Sequence, residues 1–332
     1  MGMITGAMLT KAGYDCTLID VNRAHVEAMN TKGAKITGFY EDLIPVTACL
    51  PQNAQGIFDI VFIQTKQPAM AKALESIKDN IGSDTTIVTL QNGIPEWKVA
   101  ALMGQQRVIG GTVYHGAKFL EPGVSELTTE KDAMHFYVGE VDGSVTPRLE
   151  IICKMLDSAG GCEITTDIMS IKYTKLAMNT ALSGISAALG CSFGQALDNY
   201  DAMRCMLYLT QEVALVMEAK GLMAVDMEGY HPTVANYSFR TEAEMWAVEK
   251  GLRSMIELSY DEIASMLQDI LAGRTECEID DINGQVVRDA AECGIEVPFN
   301  KTVINIVKKI LQGELKPEFA NLKYFSIPEL EE

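Results

Sequence analysis

A change of period near residue 166 constrains this chain more than any other feature. Up to about residue 165, short runs rich in β-branched residues alternate with stretches of helical periodicity, the pattern of βαβ units around a largely parallel sheet. The predicted strands are CTLID (16–20), FDIVFIQT (58–65), TTIVTLQ (85–91) and RVIGGTVY (107–114); AMAKALESIKDNI (69–81) is a predicted helix between two of them, and GVSELTT with MHFYVGEV suggests a later hairpin. Beyond residue 166, apolar residues recur at helical spacing and predict helices over 170–189, 201–220, 259–272, 280–293 and 301–312. The expectation is therefore an α/β doubly wound domain over residues 1–165 and an all-α helical domain over 166–332. A length of 332 residues suits two cores. With no Gly/Ser linker between them, the two are expected to abut and leave a cleft as the default ligand site. The tail KPEFANLKYFSIPELEE is expected to be partly loose.

The opening of the chain specifies the kind of α/β domain. A Rossmann-type domain begins with an apolar strand and GxGxxG at the mouth of a helix, whose backbone N–H groups hold a pyrophosphate. Here GMITGAMLTKAGYDCTLID starts at the helix, so Gly2 reads as the last glycine of that fingerprint, with the first strand missing from the sequence. Asp20 ends the next strand, 18 residues beyond Gly2, about where an acidic residue would receive a ribose hydroxyl. A short helical start and an ordinary strand-end aspartate would look the same.

Composition removes other classes. Hydrophobic residues make up 48% and charged residues 22%, as in a folded globular protein, and a net charge of −18 with no basic cluster disfavours nucleic acid and anionic membranes as partners. The eight cysteines form no CxxC pair and no zinc spacing, which predicts reduced core thiols and no metal site. With neither a signal-peptide pattern nor a long apolar run, a cytoplasmic location is expected. His25, His115, His135 and His231 lack HExxH or a nucleophile-elbow partner, so they are expected to be structural or exposed.

The second half carries IKYTKLAMNTAL from Ile171, then SMLQDILAGRTECEIDDINGQVV (265–287) and GIEVPFN (294–300); the first half carries Thr65-Lys66, Gln91-Asn92-Gly93, His115-Gly116-Ala117 and Pro122-Gly123. In this order the motifs resemble the ketopantoate reductase family over nearly the whole chain. The resemblance implies reduction of 2-dehydropantoate (ketopantoate) to pantoate for pantothenate and coenzyme A biosynthesis, NADPH as cofactor, and dimerisation through the helical domain. It implies Lys175 as the general acid, Glu278 as a second functional group, Asn92, Asn179, Ser183 and Ser265 as substrate ligands, and Lys66, Asn92 and Ala117 beside the cofactor. Read as residues alone, Lys175, Asn179 and Ser183 recur every four positions and share one helix face, able to meet a small anion; a solvated face has the same spacing.

Two departures leave alternatives open. Ser183 and Phe193 stand where the family is more polar, which makes another 2-keto or imino acid a rival substrate, and RTECEID carries one residue more than usual, which makes Glu276 a rival to Glu278. Asp20 would repel a 2′-phosphate and favour NADH, whereas Arg23 could reach one. A non-catalytic nucleotide-binding relative is the reading from a different class.

Overall fold

The computed structural model describes every residue except Glu228 and Glu332. The chain divides into two compact units, Met1–Gln91 with Pro95–Ile168, and Asn92–Ile94 with Met169–Glu332.

The first unit begins with α1 (Gly2–Lys11), β1 (Thr17–Ile19), α2 (Arg23–Lys32), β2 (Ala34–Gly38), β3 (Asp42–Ile44) and β4 (Thr47–Cys49). It continues through β5 (Phe58–Ile63), α3 (Gln67–Ser76), β6 (Ile81–Thr89), α4 (Glu96–Met103) and β7 (Val108–Tyr114). It closes with β8 (Ala117–Glu121), β9 (Val124–Leu127), β10 (His135–Glu140), α5 (Pro147–Asp157) and β11 (Gly161–Ile164). β1 pairs with β4; a five-stranded sheet has the order β11-β10-β7-β6-β5, and a four-stranded sheet the order β3-β2-β9-β8. β5, β6 and β7 are mutually parallel and joined through α3 and α4, but β10 runs antiparallel to β7, so the larger sheet is mixed.

Neighbouring residues of the central strands point to opposite faces. Ile87 and Val108 pack with Ile63, Met70, Leu74 and Val99 on the side of α3 and α4. Val88 and Ile109 join Ile4, Leu9, Met29, Leu149 and Ile152 of α1, α2 and α5. Both faces are covered, which is why these strands read as continuous apolar runs.

The expected hairpin is corrected. GVSELTT and MHFYVGEV do not pair: β9 turns back on β8, while β10 pairs with β7 and β11. Pro122-Gly123, with Gly123 at φ 80°, supplies β8 and β9 with a two-residue turn, a closer partner than any strand eight residues on. The helix expected over 69–81 ends at Ser76, and a 3-10 turn leads into β6 at Ile81.

The second unit contains α6 (Ile168–Leu189), α7 (Phe193–Asp198), α8 (Tyr200–Ala219), α9 (Val234–Tyr237), α10 (Glu242–Ile256), α11 (Ser265–Leu271), α12 (Asn283–Cys293) and α13 (Pro298–Leu311). α6 is the packed axis: Tyr173, Leu176, Ala177, Ala181, Ile185 and Ala188 are fully buried. At Gly184 an added Cβ would lie 2.9 Å from Val303 and 3.1 Å from Asn283, so only glycine lets α12 and α13 come this close. The helix expected over 259–272 contracts to α11, because Phe193 N and Gly194 N donate to Glu262 O and Tyr260 O and hold the preceding segment along α7. The tail is not loose: Asn321 Nδ2 donates to Ala188 O and Lys316 O, Phe325 is buried, and Glu331 N donates to Arg240 O. No described helix is long and apolar enough to cross a membrane.

Candidate active site

The residues singled out from the sequence for the cofactor lie at the ends of strands and helices, all in the first unit except Asn92, which falls in the second. Gly2 opens α1, and its α-carbon faces Gln64, whose Nε2 donates to Thr5 Oγ1 at 3.0 Å. The N-terminus of α1 has no side-chain cap and no acidic residue in its first turn, so its polarised N–H groups suit an anion. Asp20 follows β1; its Oδ1 accepts from Asn22 N at 2.8 Å, and exposed Arg23 starts α2 just beyond. Gln91 Nε2 donates to Thr65 O at 2.6 Å, tying together the segments that follow β5 and β6. Lys66 is the N-cap residue of α3, and Asn92 is exposed. Ala117 lies in the other sheet, at the start of β8, paired with Leu127.

Gly6 was not anticipated. Its Cβ would stand 2.9 Å from Leu18 Cγ, so this glycine is what allows α1 to lie close on β1. The sequence signal was the second glycine four residues after Gly2.

In the second unit Lys175, Asn179 and Ser183 all lie on α6, each half-buried. Burial of the Lys175 ammonium pushes its pKa down to about 7, with the positive charge of Lys172 one turn earlier adding to the shift. Lys172 is itself buried and is a second residue that motif matching missed. Asn179 Nδ2 is buried without an acceptor among the described residues, a donor that normally finds a partner. Ser265 is the exposed first residue of α11. The rivals differ sharply: Glu278 is 6% exposed and opens a 3-10 turn before α12, whereas Glu276 is exposed to solvent. Phe193, half-buried, begins α7.

A buried polar network stands behind this strip. Phe299 N and Asn300 N, at the start of α13, donate to Glu212 of α8 at 2.7 and 2.9 Å, and Asn300 Nδ2 donates to the same carboxylate at 2.8 Å. Asn283 Nδ2 donates to Asn300 Oδ1 at 2.9 Å and to Thr180 O of α6 at 3.3 Å. Desolvation pushes Glu212 up to about 7 against the pull of those donors. Among the described residues no group of three or more His, Cys, Asp or Glu side chains is placed to hold a metal.

A doubly wound unit with an open helix N-terminus, followed by a helical unit that presents a weakly basic lysine beside an amide donor, defines an oxidoreductase of the Rossmann type. The family models confirm and narrow this: Ketopantoate reductase PanE/ApbA matches residues 1–143, and Ketopantoate reductase PanE/ApbA C terminal matches 167–311. The chain belongs to the ketopantoate reductase family. It is similar to the 2-dehydropantoate 2-reductases of Archaeoglobus fulgidus, 27% identical with 94% of this chain and 95% of that one covered, and of Pyrococcus horikoshii, 29% identical with 93% of each covered. Among solved structures, a PanE/ApbA family ketopantoate reductase from Ralstonia eutropha aligns with a TM-score of 0.78 at 22% identity, over 93% of this chain and 95% of that one. A D-mandelate dehydrogenase with NADH and anilino(oxo)acetate gives the same TM-score and coverage at 19% identity.

Proposed function

We propose that the protein reduces a small 2-keto acid with a nicotinamide dinucleotide, with ketopantoate to pantoate the first reaction to test. The observation that carries this reading is Lys175, an acid tuned to about pH 7, one helical turn from the buried, unaccepted Asn179 amide. The uncapped start of α1 fits a pyrophosphate, and Asp20 fits a ribose hydroxyl. Lys66 and Asn92, beside the tied strand ends, would line the ribose and nicotinamide, as would Ala117.

When bound, the nicotinamide supplies the hydride. Lys175 donates its ammonium proton to the keto oxygen as the carbonyl becomes a hydroxyl, which spares a free alkoxide. The Asn179 amide donates to a hydroxyl or carboxylate oxygen of the substrate, Ser183 adds a shorter donor on the same face, and Ser265 takes the carboxylate. Glu278 is the buried acidic partner of the site, preferred to Glu276 for its burial.

Ser183 and Phe193 favour a second reading within the same chemistry, a bulkier or aryl 2-keto acid. The test is oxidation of NADPH and of NADH with ketopantoate and with phenylglyoxylate, in the native protein and in Lys175→Ala. We expect Lys175→Ala to lower kcat at least about 100-fold while cofactor binding changes little. A variant with near-normal kcat would remove Lys175 from its role, and a native protein inert toward every keto acid would favour a nucleotide-binding relative.

A further inference from the structure

Ser186 lies eleven residues beyond Lys175 on α6, three turns along and about 20° away, so it prolongs the strip of Lys175, Asn179 and Ser183. Its side chain is completely buried, in a stretch otherwise made of Ile185, Ala187 and Ala188. A hydroxyl in such a place must find partners, and this one has two that belong to different segments. Ser186 Oγ donates to Cys191 O at 2.7 Å, in the turn that leads to Phe193, and accepts from Ala264 N at 3.2 Å, the residue before Ser265. The backbone carbonyl of Ser186 also accepts from Gly190 N at 2.8 Å, which closes the end of α6 under the same turn.

One hydroxyl therefore ties the α6 strip, the start of α7 and the start of α11. The second tie between the last two is backbone only, Phe193 N to Glu262 O at 2.9 Å and Gly194 N to Tyr260 O at 2.8 Å, and neither bond reaches α6. Without the Ser186 hydroxyl, Ala264 N would be a buried donor that has lost the hydrogen bond tying it to the helix that carries Lys175.

We propose that Ser186 is a positioning residue: its hydroxyl sets Ser265 in register with Lys175 and Asn179, and so determines how tightly the keto acid's carboxylate is held. This rests on the reading of Ser265 as the carboxylate ligand. Ser186 touches no reacting atom, so its loss should weaken substrate binding and leave the proton transfer alone.

Steady-state kinetics with ketopantoate and with phenylglyoxylate, NADPH in excess, on the native protein, Ser186→Ala, Ser265→Ala and the double variant decide it. One hydrogen bond of ordinary strength corresponds to about a fivefold change. Ser186→Ala should raise KM for the keto acid about fivefold or more, with kcat and the KM for NADPH within about twofold. In the Ser265→Ala background it should add nothing, and Ser186→Thr, which keeps the hydroxyl, should restore KM. Ser186→Cys, which puts a weakly hydrogen-bonding thiol in place of the hydroxyl, serves if the alanine variant does not fold, and should raise KM likewise. An unchanged KM in Ser186→Ala or Ser186→Cys beside a raised KM in Ser265→Ala overturns the inference alone. Additive effects in the double variant, or equal losses in kcat and in every KM, also overturn it and assign Ser186 to packing. An unchanged KM in Ser265→Ala overturns the carboxylate reading beneath it.

Discussion

A lysine whose ammonium is desolvated holds its proton weakly, and in the proposed reduction that weakness becomes a pH limb. With its pKa pushed down to about 7, Lys175 is protonated below that value and increasingly neutral above it. The reductive direction needs the proton, so kcat/KM for keto acid reduction should fall above about pH 7, approaching tenfold per pH unit, while oxidation of the hydroxy acid rises over the same range. Lys172→Met removes the neighbouring positive charge and should move the midpoint upward. Rate profiles in both directions check this; a reductive profile flat to pH 9 would mean that Lys175 is not the acid. Cofactor choice also belongs to single residues. Asp20 should make NADH competitive with NADPH, and Asp20→Ser should shift the preference toward NADPH by about tenfold or more, since a carboxylate no longer meets the 2′-phosphate. Measured kcat/KM ratios test it. A native preference for NADPH of several hundredfold would give the decision to Arg23.

Elements rather than residues explain the polar network behind the site. α13 begins at Pro298 without a local side-chain cap, and Glu212 of α8 takes that place from a distance, accepting from the N–H groups of Phe299 and Asn300 in the first turn. Its folded pKa, about 7, lies above its ordinary value of 4.5. The folded state thus favours the protonated carboxyl: this contribution to stability is complete below about pH 4.5 and is lost as pH rises through 7, a difference on the order of 3 kcal/mol. Glu212→Gln cannot titrate and places an amide donor against the donors of α13, so it should be less stable than the native protein at pH 5, with the gap narrowing by pH 8. Thermal melts across that range are the measurement, and a gap that does not change with pH would show that Glu212 does not titrate as described. None of this was legible in the sequence, because a cap supplied from 87 residues away leaves no local pattern. α10 is a contrasting case, since its capping box of Thr241 and Glu244 was written in the chain.

At the scale of the molecule, the sequence by itself determined the two-part plan and the family, because both rest on local signals. β-branched runs and helical periodicity follow from backbone sterics within a few residues, and the motifs around Lys175, Ser265 and Glu278 keep their order along the chain. It also placed Lys175, Asn179 and Ser183 on one face, since a helix fixes that by its pitch alone. Pairing, burial and reach were decided only in three dimensions. β9 and β10 part company because sheet partners compete across the whole unit, not between neighbours in sequence. Glu278 is separated from Glu276 by burial, which two residues of spacing cannot express. The acidity of Lys175 comes from the protein packed around its ammonium and from Lys172, and the three segments gathered by Ser186 meet only after α6, α7 and α11 have packed. Desolvation and long-range hydrogen bonds depend on which surfaces exclude water together, and that is a property of the folded chain.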